Sequence, residues 1–314
     1  MLARVANNLY WMGRYIERAE HVARFLNVNY FSSLDAPSEI SQGRQFVLRS
    51  IKFMVGEPAT EADNLIENDV LYDVGLNLDK YYSVKFCIKV ARENANSSRD
   101  LISTELYEAI NKFYHYVNDY PSEVFVKNGL YDYAVNVTER TAILRGKIRG
   151  TLLHDEIYHI IMLGINIERA NQIIRIINAK YNDAIQAKGS YTNPVNNSYE
   201  WTTLLKCAES YDMMRRFYKK PPNGINTLDF LIFNQNCPRS VMNSLNQVFK
   251  HLQELDPQKI RDKNSAAFLI GKVRAEYQFK HFHEVQNQVK NFIENTVRTL
   301  VEIGNKLEKE YFNY

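Results

Sequence analysis

The sequence predicts an all-α protein: a multi-helix bundle with an internally duplicated helical unit. Three observations point there. Glycine (12) and proline (8) are scarce in 314 residues, which favours long uninterrupted helices over sheets and turns. Apolar residues recur at steps of three and four, the period that lines one face of a helix. One helix is also written nearly twice. The stretches "GRYIERAEHVARF" (13–25) and "GINIERANQIIRI" (164–176) share Gly13/Gly164, Ile16/Ile167, Glu17/Glu168, Arg18/Arg169, Ala19/Ala170 and Arg24/Arg175.

In the first segment Val5, Leu9, Met12, Ile16, Ala19, Ala23 and Leu26 form one apolar stripe. Further helices are expected at about 41–55, 60–78, 82–97, 99–119, 123–149, 153–187, 197–219, 224–235, 239–255 and 263–312. The prolines fall in polar stretches between them, where helices start or stop. Ser98 with Asp100, Ser122 before Glu123, and Pro238 mark three starts. The run "YYSVKFCIKV" (81–90) has some strand character, but its neighbours assign it to helix. The polar stretch "KGSYTNPVNNSYE" (188–200) reads as a linker. It divides an N-terminal bundle, 1–187, holding both Glu-Arg helices, from a C-terminal bundle, 188–314, packed on it as one unit. The last helix should close that second bundle; Thr296 and Thr299 interrupt the heptad from Val285 and argue against a coiled-coil dimer. A weaker third copy lies at 208–217, with Ala208, Glu209, Arg216 and Phe217 in the places of Ile16, Glu17, Arg24 and Phe25.

Composition bounds the function. A net charge of +3 gives no extended nucleic-acid footprint. Cys87, Cys207 and Cys237 are far apart and form no CxxC, which fits a reducing compartment rather than a disulfide or zinc framework. The charged N-terminus has no signal-peptide core, and no apolar run reaches the roughly 20 residues of a membrane span. A cytoplasmic location is expected. There is no Walker A, GxGxxG or GxSxG sequence, so no cofactor is expected. Glu156-x-x-His159 has the spacing of di-iron bundles, but no second copy accompanies it, and His281 and His283 should face apart on a helix. No metal is expected.

Chemistry concentrates on the repeated helices. At about 100° per residue Glu17 and Arg24 share a face, flanked by Arg14 and His21, while Arg18 points away from Glu17. The second helix is apolar on nearly all sides, so Glu168 and Arg169 must sit mid-way along a buried helix. A buried charge costs several kcal/mol unless paired. The two helices are therefore expected to pack together and neutralise one another. The candidate cluster is Arg14, Glu17, Arg18, His21, Arg24, Glu168, Arg169, Arg175, Glu209 and Arg216. Two readings stay open. The cluster is either a buried clasp that sets helix register, or a polar cleft. In a cleft, arginines would hold a carboxylate or phosphate, and a glutamate with a shifted pKa would act as base or amine anchor.

The opening "MLARVANNLYWMGRYIERAEHVARFL" resembles the start of the bacterial alpha-E family, all-helical proteins named for this Glu-Arg motif. The stretches "ARENANSSRDLISTELYEAIN" (91–111), "LGINIERANQIIRI" (163–176) and "PRSVMNSLNQVFKHL" (238–252) follow the same pattern, so the resemblance spans roughly 1–310. Asn96-Ser97-Ser98 departs from it, since similar proteins more often carry an arginine and an aliphatic residue there. The resemblance implies association with circularly permuted ATP-grasp proteins, which join a carboxylate to an amine, often beside a transglutaminase-like protease. The expected function is thus an accessory or substrate-presenting subunit of an ATP-grasp amide-ligase system, with a peptide or amino-acid-like substrate. The alternatives are an enzyme, a transferase or ligase with a Glu/Arg-lined cleft, and a structural interaction module. The aromatic run of the last helix makes a second copy of the chain a further candidate partner.

Overall fold

Leu9, Met12, Ile16, Ala19, Ala23 and Leu26, the stripe of the first segment, are buried along one helix, α1 (Ala3–Ser32). The computed structural model of the protein describes residues 2–37, 39–187 and 198–312. Among these residues the regular structure is helical, with no strand. After α1 come α2 (Arg44–Val55), α3 (Glu67–Gly75), α4 (Val84–Asn96), α5 (Thr104–Asn118), α6 (Leu130–Thr151) and α7 (Glu156–Ala187). Then follow α8 (Ser198–Cys207), α9 (Tyr211–Tyr218), α10 (Gly224–Phe233), α11 (Val241–Leu255), α12 (Ala266–Gln278) and α13 (Val289–Leu307). Short helical turns fill some of the connections.

Local chemistry sets many of these starts. Ser83, Ser103, Ser240 and Ser265 each accept a hydrogen bond from the backbone N–H three residues on, capping α4, α5, α11 and α12. The ambiguous run 81–90 is the cap and first turns of α4. The expected start at Ser98 is only a 3-10 turn, Arg99–Leu101; Ser103 opens the helix proper.

α7 is the centre of the molecule. Every residue from Ile160 to Ile174 is buried, and α1, α2, α8, α11 and α13 all pack on it. α1 in turn packs on α4 and α6. The chain's last described turn, Glu308–Phe312, returns to α1 and stacks Phe312 on Tyr10, 4.6 Å between ring centres. No described helix is long and apolar enough to cross a membrane. The linker expected at 188–200 lies, up to residue 197, outside the described residues; Ser198–Glu200 begin α8.

Two expected helices are broken. The helix at 197–219 divides at Glu209, which adopts φ 52°, while Ser210 N–H returns to Leu205 C=O at 2.8 Å and ends α8. The weak third copy is thus a helix end and a helix start, not one helix. The helix at 263–312 divides after Gln278, because His281 and Glu284 form a reciprocal capping box that starts a new turn. His281 and His283 stack at that cap, 5.5 Å apart, rather than facing apart. Thr296 is buried and bonds the Tyr277 hydroxyl at 2.7 Å, tying α13 to α12.

Candidate functional site

The site begins with two glycines. An added Cβ at Gly164 would lie 2.1 Å from the Tyr10 carbonyl oxygen, and one at Gly13 would lie 2.5 Å from that of Ile161. Only a residue with no side chain allows backbones this close. The helices run parallel, for contacts advance together from Gly13 beside Ile165 to Asn29 beside Lys180. This register brings identical residues face to face. Arg169 grips Glu17 with both fork nitrogens, at 2.6 and 3.0 Å, and Arg18 grips Glu168 the same way, at 2.7 and 3.1 Å. Each motif arginine reaches the other helix's glutamate, and bidentate geometry makes these pairs strong.

On the Glu17 side the described charges are all paired, around a buried centre with Glu209 and Arg145 at its exposed edge. Glu17 also lies 3.4 Å from Arg239, just ahead of α11, and 3.7 Å from Arg145 on α6. Glu20, fully buried, accepts from Arg239 at 2.8 Å, from Arg24 at 2.5 Å and from Arg145. Glu209 joins through Arg24 at 3.0 Å and Arg239 at 2.5 Å. Its left-handed backbone costs on the order of 1–3 kcal/mol. Burial alone would raise the Glu17 and Glu20 carboxyls, but Arg169 and Arg239 respectively lead a set of cations that hold both below the ordinary range. His21 donates from Nδ1 to the Glu17 carbonyl at 2.9 Å and accepts from Arg239 at 3.4 Å, so it is neutral. Burial pushes its pKa down to about 4, against the pull of Glu17. Glu17, Glu20 and His21 bring ligand-type atoms within 4.8 Å, but guanidinium groups already engage both carboxylates.

On the Glu168 side the network is open. Glu168 accepts from Arg18, from Arg14 at 2.9 Å and from Gln172 at 2.8 Å. Burial would raise its carboxyl, yet Arg18 and Arg14 drive it far below the ordinary range. Arg14 also holds Glu308 at 2.7 Å and lies over the Trp11 ring at 4.2 Å. Beside these groups is a cavity of about 120 Å³. Arg14, Arg18, Arg175 and Glu168 line it with Tyr81, Tyr82, Asn171, Gln172 and Asn305; Val22, Met54, Val55, Leu300 and Val301 form its apolar wall. Tyr82 is fixed by donating to Glu57 at 2.8 Å; Glu57, despite some opposing desolvation, is held at about 2 by Lys52, Tyr82 and Lys80. Arg175, half-buried, makes no ion pair or hydrogen bond with any described residue, and burial lowers its pKa.

A family model described as a predicted alpha-helical domain with a conserved ER motif, Alpha-E, matches residues 1–312. The chain belongs to the Alpha-E family. No curated protein and no solved structure matches it.

The ER motif of this Alpha-E chain is therefore a reciprocal clasp with one closed and one open flank. Of the residues singled out in sequence, Glu17, His21, Arg24, Arg169 and Glu209 meet on the closed flank, and Arg14, Arg18, Glu168 and Arg175 on the open one. Arg216 joins neither. It is exposed on α9, beside Arg215, Lys219 and Lys220 in a separate basic cleft. It was placed by analogy with Arg24, and that analogy fails where the helix breaks at Glu209. His159 meets His251 at 2.8 Å, and no further metal-type group gathers round it among the described residues.

Sequence reasoning missed Glu20, Arg145 and Arg239, the cavity residues Tyr81, Tyr82, Asn171 and Gln172, and Glu308, which pairs with Arg14. Glu20 had a signal, since it stands four residues before Arg24, the spacing of a helical ion pair. Arg239 lies in the stretch 238–252 that carries the family resemblance, but, 222 residues from Glu17, nothing in its spacing places it beside the motif. Neither motif glutamate is a base at neutral pH, because each is saturated by guanidinium donors and acidified by them. Cys87, within the field of Arg18 and Glu168, is pushed up to about 12 by burial and is no thiolate nucleophile. The open flank therefore leaves one guanidinium, Arg175, with no carboxylate partner among the described residues.

Proposed function

We propose that this Alpha-E chain is an accessory, substrate-presenting subunit of an ATP-grasp amide-ligase system, acting in the cytoplasm. The observation that carries the reading is the open flank: three arginines line a cavity, one of them without an ion-pair partner among the described residues, and the lining carboxylate, Glu168, is acidified by its guanidinium donors and so is no base. A site of that kind holds a carboxylate and leaves its activation to another protein. ATP-grasp ligases activate carboxylates as acyl phosphates, which is the chemistry this chain lacks. The closed flank serves as the register clasp. Six identical positions and the reciprocal pairing support descent of α1 and α7 from one duplicated unit; alignments of related chains in which the two helices match no better than chance would remove that part.

The test is ADP release by the cognate circularly permuted ATP-grasp protein, supplied with carboxylates and amines. The expected result is a complex between the two proteins and stimulation by the wild-type chain. Arg175→Gln, checked to be folded, should form the complex without stimulating. No complex and no stimulation by wild type would overturn the reading.

A further inference from the structure

The open flank specifies its ligand more narrowly than "an anion", and the argument rests on the substrate-presenting reading of that same cavity. Its size comes first. About 120 Å³ of accessible space holds roughly four waters at their liquid share of about 30 Å³ each, and so a carboxylate with the few carbon atoms next to it. Charge comes second. Three guanidinium groups and one carboxylate line the cavity; counting Glu308, which pairs with Arg14, the balance is three against two. One cation remains over, and it is Arg175. A planar guanidinium favours a planar two-oxygen anion over a point charge.

The same excess disfavours an ammonium group. Glu168 has no room to receive one, since Arg14, Arg18 and Gln172 already donate to it. A free amino acid would thus bring a positive charge into a site that is already positive. The wall completes the description. Val22, Met54, Val55, Leu300 and Val301 present branched or flexible apolar surface opposite the polar side. Tyr81, more than half exposed, stands where the ligand would leave.

We propose that the cavity binds a carboxylate carried beside an aliphatic group and free of any nearby ammonium, as in the C-terminal residue of a peptide or an N-acylated aliphatic amino acid, with the carboxylate on Arg175. Asn171 is the discriminating position. In α1 the equivalent residue is Glu20, which pairs with Arg24; in α7 it is the neutral Asn171, and Arg175 is left without a partner.

The experiment titrates the full chain, without any ligase, with N-acetyl-L-valine and with the tripeptide Gly-Gly-Val, following binding by calorimetry. Saturable binding is expected for both, with the tighter probe identifying the source. L-valine, N-acetyl-L-valinamide and inorganic phosphate should bind at least tenfold more weakly. Arg175→Gln should weaken N-acetyl-L-valine at least tenfold, and Arg216→Gln should leave it unchanged. Asn171→Glu supplies an internal carboxylate and should block the site as well. Absence of saturable binding to wild type overturns the proposal, as do equal binding of L-valine or phosphate and indifference to Arg175→Gln. Because no ligase is present, a chain that binds the probe yet fails to engage the ligase sinks only the subunit reading. One that engages the ligase without binding the probe sinks only this inference.

Discussion

Among the described residues, every guanidinium on the Glu17 flank meets a carboxylate, while on the Glu168 flank Arg175 meets none. The two flanks share glycine, glutamate and both arginines at the same spacing, so the motif itself does not make the difference. Two substitutions do. Glu20 and His21 of α1, which Arg239 contacts, correspond to Asn171 and Gln172 of α7, so the second flank has one carboxylate and one ring fewer. The neighbours differ accordingly. Arg145 and Arg239 fill the first flank, while the second faces the thin apolar wall of α13. A repeated motif can thus be structure on one side and a site on the other, decided by the residue four places before its last arginine.

The strongest way to break this contrast is to remove one motif arginine at a time. Arg169→Met strands part of a buried, saturated carboxylate network and should cost roughly 3–5 kcal/mol in chemical denaturation. Arg18→Met should cost less, because Arg14 at 2.9 Å and Gln172 at 2.8 Å stay on Glu168, whereas Glu17 would keep only longer contacts, to Arg239 at 3.4 Å and Arg145 at 3.7 Å. Equal losses would erase the distinction between flanks.

Acid should attack the closed flank first. The unfolded chain protonates His21 near pH 6.5 and the folded chain only near 4, so stability is full above 6.5 and falls as pH drops through that window. The loss is on the order of 3 kcal/mol, to which His251, likewise held by burial at about 4, adds. Below pH 4.5 the lowered carboxyls of Glu17, Glu20 and Glu168 continue the loss on both flanks. Melting His21→Gln between pH 4 and 7 should give a flatter profile than wild type; an unchanged slope would mean that His21 carries its proton in the fold.

Smaller effects of opposite sign belong to the open flank. Asn171→Glu should pair with Arg175 and raise stability by at most about 1 kcal/mol, since desolvation of the new carboxylate offsets part of the attraction. Arg175→Met removes a desolvated, unpartnered cation and should leave the melting temperature unchanged or slightly higher. A clear drop would show that Arg175 holds the fold together rather than a ligand.

How far the sequence carries is shown by these same residues. The apolar circumference of α7 required that Glu168 and Arg169 be neutralised from outside, and the matched spacing in α1 pointed to the supplier. Helical periodicity located most elements for the same reason, since it is a local property. Arg239 and Glu308 were not legible, because their roles depend on where a helix start and the chain's last turn arrive in space. The breaks at Glu209 and Phe279 were hidden by continuous helical patterning; backbone reversal and a histidine capping box overrode it. Asn171 was in plain view, but its meaning appears only beside Glu20.

The clasp also sets a timetable for biosynthesis. Glu17 and its principal partner, Arg169, are 152 residues apart. At about 5–20 residues per second, a nascent chain exposes α1 for roughly 8–30 s before Arg169 is made. Throughout that interval the first helix can meet α4 and α6 as they are made, but Glu17 has no bidentate partner and the face that packs on α7 stays uncovered. Folding of the core must wait for that long loop to close, which makes the N-terminal third a natural client for whatever shelters unfinished chains.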